Sequence, residues 1–105
     1  MKNTENLTPG QIVKSIAGHD KGDIFFVTEI IDKDYVLIAD GDKRKLESPK
    51  KKKAKHLQPY KKISKSIASK IAEKSHIENI ELQRELERNG AMLLALDDQR
   101  EIENV

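Results

Sequence analysis

The sequence predicts a small antiparallel β-barrel followed by two or three helices, and three observations point there. Before residue 58, short apolar runs rich in β-branched and aromatic residues alternate with tight polar turns. After Pro59 the apolar residues recur at helical spacing instead. With two Phe, two Tyr, no Trp and 36% apolar residues in 105, the chain can build one small aliphatic core and has no room for two full domains.

The elements follow in order. Residues 1–8 read as a flexible polar tail, and Pro9-Gly10 as a turn. Gln11 to Ala17 forms a short strand ending at Gly18, and residues 19–23 form a polar turn. Ile24 to Ile31 is a second strand, on which Phe25 and Phe26 must face opposite ways, one into the core and one outward or under a helix. Residues 32–34 turn the chain into a third strand, Tyr35 to Ala39. Asp40-Gly41 is a hairpin signal, because a type I′ turn wants positive φ at both central positions, so residues 42–47 are expected to pair back as strand four. Ser48-Pro49 ends that strand, Lys50 to Lys55 forms a basic arm, and residues 56–58 supply a fifth short strand. Closing these strands into a barrel protects their edges.

Beyond Pro59, Ile63, Ile67 and Ile71, with Ala68 and Ala72, mark one face of a basic amphipathic helix of about 10 to 14 residues. A second helix is expected from Asn79 to Asn89, with Ile80, Leu82 and Leu86 on its apolar side and Asn89-Gly90 as its stop. Residues 91–105 begin apolar, at Met92 to Leu96, where further helix is one reading, and end as an acidic tail that can fold back on the lysines. The expected organisation is therefore tail 1–8, barrel with basic arm 9–58, and helical extension 59–105.

Charge is sorted along the chain. The net charge is only +2, yet residues 43–70 hold twelve Lys or Arg against one acid, between two acid-rich segments. There is no Cys, which excludes disulfides and thiolate chemistry. No apolar run approaches the roughly 18 residues of a membrane span, and the N-terminus lacks a signal-peptide build, so a cytoplasmic protein without membrane contact is expected.

Certain residues, in sequence, carry a resemblance. Gly10-Gln-Ile-Val13, Gly18-His-Asp-Lys-Gly22, Ile30-Ile-Asp32, Tyr35-Val-Leu37, Asp40-Gly41, Arg44-Lys45 and Lys55-His-Leu57 occur as an ordered series. The series resembles KOW-domain RNA-binding proteins, in particular the large-subunit ribosomal proteins of the fourteen-e, six-e and twenty-seven-e type. It spans residues 9–58. The resemblance implies an SH3-like barrel that binds ribosomal RNA, with Lys21 and Gly22 in the RNA-facing turn and His56 beside the arm. The family often carries Arg where His19 stands and a basic residue where Asp23 stands, so this turn is less cationic than usual.

The lysine block supports the same expectation by physics. Lys43, Arg44, Lys45, Lys50, Lys51, Lys52, Lys53, Lys55, Lys61 and Lys62 are expected to form one cationic surface. Cations that neutralise phosphates release condensed counterions, giving an affinity that falls steeply with salt. Such a surface reads RNA backbone and shape more than base edges. Arg44 is the residue best suited to bidentate contact. The bland reading of a lysine run is a solvated face, and that of the four turn glycines is backbone conformation alone. Tyr35 and Tyr60 either pack or stack on a base.

His19, His56 and His76 lie far apart without metal-ligand spacing, and no acid is paired with a nucleophile, so neither a metal, a cofactor nor catalysis is expected. The rival expectation is an adaptor that uses the barrel as scaffold and docks its apolar helical stripe on a ribosomal or transcription protein.

Overall fold

The computed structural model describes the backbone of residues 3–103, with side chains through Gly90 and at Leu93. Five strands, β1 (Gln11–Ser15), β2 (Ile24–Ile30), β3 (Tyr35–Ala39), β4 (Lys50–Lys53) and β5 (Leu57–Ile63), form one antiparallel sheet. Two helices follow, α1 (Lys65–Ala72) and α2 (Asn79–Glu103). The strand order is β4-β3-β2-β1-β5. β4 and β5 lie at the two edges of this order, and closure of those edges into the expected barrel is not found among the described residues.

Two bulges bend the sheet. The β1–β5 register shifts between Gln11 and Val13, and the Gln11 side chain fills the gap by donating to the Tyr60 carbonyl at 2.8 Å while accepting from the Thr8 N–H at 3.0 Å. The β2–β3 register shifts between Val27 and Glu29, where the Thr28 hydroxyl donates to the Leu37 carbonyl at 3.2 Å.

Each face of the bent sheet has its own apolar cluster, and the alternation of Phe25 and Phe26 assigns one ring to each. The inner face packs Val13, Phe25, Val27, Val36, Ile38 and Leu57, capped by Leu7 and Ala54. The outer face packs Ile12, Phe26, Ala39 and Tyr60 under Ile67 of α1 and Leu82 and Leu86 of α2. Both phenylalanines are fully buried, each worth about 2 kcal/mol of burial.

Several local expectations are corrected. Residues 42–47 are not a strand. The Asp40 carboxylate accepts from the Asp42 and Arg44 N–H groups at 3.0 and 2.9 Å, closing a compact loop that outcompetes the hairpin ladder. The fourth strand is the lysine segment expected to be an arm. Strand β5 runs on through Pro59, tolerated because it lies on an edge strand, to Ile63. Helix α1 starts later than expected because Ser64 is its N-cap, accepting from the Ile67 N–H. Ile63 is therefore a half-exposed strand residue rather than part of the helical face.

Helix α2 does not stop at Gly90. A Cβ there would run into the Ile24 Cδ1, so this glycine serves the close approach of α2 to β2. Leu93 also packs on the outer cluster, while the other side chains of the apolar run 92–96 and of the acidic tail lie outside those described. The N-terminal tail is packed from Thr4 onward: Thr4 donates through its hydroxyl to the Asp32 carbonyl at 2.6 Å, and Leu7 joins the inner cluster. Among the described residues no helix is long and apolar enough to cross a membrane.

Candidate nucleic-acid interface

Strand alternation divides the four lysines of β4 into two pairs with different fates. Opposite Ile38 and Val36 stand Lys50 and Lys52, so these two share the inner face with the core. Opposite Leu37 and Tyr35 stand Lys51 and Lys53, which project from the outer face.

The inner pair is held by the β1–β2 turn. Lys52 is 7% exposed; its stem crosses the inner cluster and its ammonium donates to the Ala17 carbonyl at 2.8 Å. Burial pulls its pKa below the ordinary lysine value, and the nearby Lys50 charge pulls the same way. Lys50 donates to Asp20 Oδ2 at 3.0 Å, and the Arg44 guanidinium reaches the same oxygen at 3.1 Å. Asp20 is thus a buried hub for two cations. Burial raises its carboxyl pKa, but the hydrogen bonds and charges of Lys50 and Arg44 outweigh that and leave it below the ordinary carboxylate value. Three residues further along the turn, Asp23 binds Lys43 at 2.8 Å and raises the Lys43 pKa.

The single cationic surface expected from the sequence is therefore divided. Lys43, Arg44 and Lys50 are occupied by Asp20 and Asp23, and Lys52 is spent on the fold. The turn acids that make this loop less cationic are the partners of those cations. Nothing in their spacing signalled it, since Asp20 lies 24 and 30 residues from Arg44 and Lys50.

Acid titration has a defined sign here. Because the folded pKa of Asp20 lies below its unfolded value of about 3.8, its contribution is complete above that pH and is lost as pH falls through the folded pKa. Asp20→Asn should flatten the loss of denaturation midpoint between roughly pH 5 and pH 2. Equal pH slopes for the two proteins would remove Asp20 as the hub.

The outer pair has no such partner. The Lys51 and Lys53 ammonium groups lie 4.6 and 5.8 Å from the Tyr35 ring centroid. Exposed Lys55, on the 3₁₀ turn Ala54–His56, lines a cleft with Lys53, Tyr35 and Asp34. Among the described residues none of the three lysines forms an ion pair. The helices cover the outer face at the Ala39 end of β3, and the Tyr35 end is left to solvent and lysines. Reading Lys50 to Lys53 as a strand would have paired Lys51 with Lys53, but no apolar alternation marks it as one.

The remaining candidates are dispersed. Lys21 and Gly22 occupy the β1–β2 turn, Gly22 with φ +94° and open space around it. Lys45 is exposed on the 40–49 loop, and Lys61 and Lys62 are exposed on β5, the opposite edge of the sheet. His56 is partly buried, and its carbonyl accepts from the Ile16 N–H at 2.9 Å, tying the end of β1 to the 3₁₀ turn. Tyr60 is buried in the outer cluster and presents no ring for stacking. A wider cleft between the 40–43 turn and α2 is lined by Asp23, Asp40, Asp42 and Glu87 beside Lys43, which disfavours a polyanion there.

Comparison with protein-family models and with curated proteins gives no match for this chain.

Proposed function

We propose that this chain is an RNA-binding protein of the translation apparatus, contacting the backbone of structured, ribosomal RNA through the outer lysines of β4 and the 3₁₀ turn. The observation that carries the reading is the arrangement of Lys51, Lys53 and Lys55 around Tyr35: three ammonium groups that form no ion pair among the described residues, and an aromatic ring between two. A phosphate chain needs cations that are not already neutralised, and this is where the β4 region supplies them. Lys21, Lys45, Lys61 and Lys62 extend the contact where the RNA reaches them.

The SH3-like KOW assignment belongs to the same proposal. It is supported by the ordered motif series over residues 9–58. A first strand paired to both the second and the fifth strand, with Lys21-Gly22 in the turn between β1 and β2, also supports it.

The test is the salt dependence of binding to a structured RNA. With four to five phosphate contacts, affinity should fall about 100-fold between roughly 50 mM and 200 mM salt. An affinity that hardly moves over that range, or no binding at low salt, defeats the proposal.

A further inference from the structure

At the Tyr35 end of the outer face lies a cavity of about 240 Å³, lined by Asp34, Tyr35, Lys53 and Lys55. We propose that it takes one unpaired guanine nucleotide of the bound RNA, and this rests on the RNA reading above. The base stacks on Tyr35, its Watson–Crick edge meets the Asp34 carboxylate, and the adjoining phosphate lies on Lys53 and Lys55.

Size and rigidity support this. The cavity is smaller than the roughly 300–1,000 Å³ of pockets that enclose drug-sized ligands, so it suits one base and excludes a duplex. Its walls are held in place. The Asp32 carboxylate accepts from the Asp34 and Tyr35 N–H groups at 2.8 and 2.9 Å, and the Asp34 carbonyl accepts from the Ala54 N–H at 2.8 Å. Tyr35 and Lys53 are direct cross-strand partners. A site whose backbone is fixed before binding loses little entropy when a ligand orders it.

Chemistry narrows the ligand. An aromatic ring stacks on any base, and stacking is stronger than an exposed cation–π contact, so the flexible Lys51 ammonium yields its place and moves to a phosphate. Asp34 selects among bases. An ionised carboxylate only accepts hydrogen bonds, and the Asp34 carboxylate makes no hydrogen bond or ion pair among the described residues. Guanine alone offers two adjacent donors, the ring N–H and the exocyclic amine, on its Watson–Crick edge. Because Asp34 repels phosphate, the anionic part of the nucleotide is directed to the lysine side.

The experiment uses the whole chain and three labelled RNAs: a fully paired duplex, the same duplex with one bulged guanine, and the same with one bulged adenine. The guanine bulge should bind about tenfold more tightly than the other two, the scale of one stacked base. Tyr35→Leu should erase that advantage, so that bulge and duplex bind this variant equally, Tyr35→Phe should keep it, and Asp34→Asn should equalise guanine and adenine. Equal wild-type affinity for all three RNAs overturns the guanine site while leaving RNA binding intact, and so does an equal loss for duplex and bulge in Tyr35→Leu. Failure to bind any of the three overturns both proposals.

Discussion

Replacing Lys51, Lys53 and Lys55 together by Glu should reduce affinity for structured RNA about 100-fold or more, and should make the slope of log affinity against log salt shallower by about three. Stability should shift by no more than about 1 kcal/mol, because the lost contacts are exposed cation–π pairs. The neighbouring Lys52→Glu is the contrasting control. It differs by one position in sequence, yet it puts a carboxylate on the inner face within the field of Asp20, where Lys52 is buried and donates to the Ala17 carbonyl. That change should unfold the domain, by the several kcal/mol that an unpaired buried charge costs. Binding titrations and thermal melts of both variants check the pair. Unchanged RNA affinity in the triple variant would remove the outer lysines from the interface.

Gly41→Ala should cost about 3–5 kcal/mol and lower the melting temperature by roughly 15–25 °C. Two effects add. Gly41 has φ +82°, a region that costs an alanine about 1–2 kcal/mol. Its missing side chain also makes room for the backbone carbonyl of Asn79, the first residue of α2, so an added Cβ must push the helix away. That displacement breaks the contacts that dock the helix start. The Leu46 N–H donates to Asn79 Oδ1 at 2.8 Å, and Gln83 Nε2 donates to the Gly41 carbonyl at 2.7 Å. Gly22→Ala separates the two effects: φ is +94° there but nothing approaches, so only about 1 kcal/mol should be lost. Matching melts for the two alanine variants would show that the turn does not depend on α2.

What the sequence made legible was set by apolar patterning. β2 and β3 carry β-branched and aromatic runs and fold within a residue of where that pattern places them. The opposite orientation of Phe25 and Phe26 follows from the two-residue period alone. β4 escaped because its strand alternation is written in one residue type: Lys50 to Lys53 differ in environment, from buried to exposed, without differing in sequence. Residues 42–47 escaped because a side chain decided them. Asp40 captures two N–H groups that a hairpin would have given to a ladder. Gly90 misled for a related reason, since the residue that signals a helix end is also the one that lets a helix touch a sheet. At the candidate interface, the lysines were legible as a group. Their division into held and available cations was not, because Asp20 meets Arg44 and Lys50 only through the tertiary fold.

The edge of a sheet invites self-association, and among the described residues β4 has one side of its backbone without a strand partner. A second molecule docking there to extend the sheet would bring its own tetralysine segment, or any other strand, against a row of positive charge. The outer-face Lys51 and Lys53 charges should disfavour such pairing, and neutralising their ε-amines by acetylation should weaken that protection.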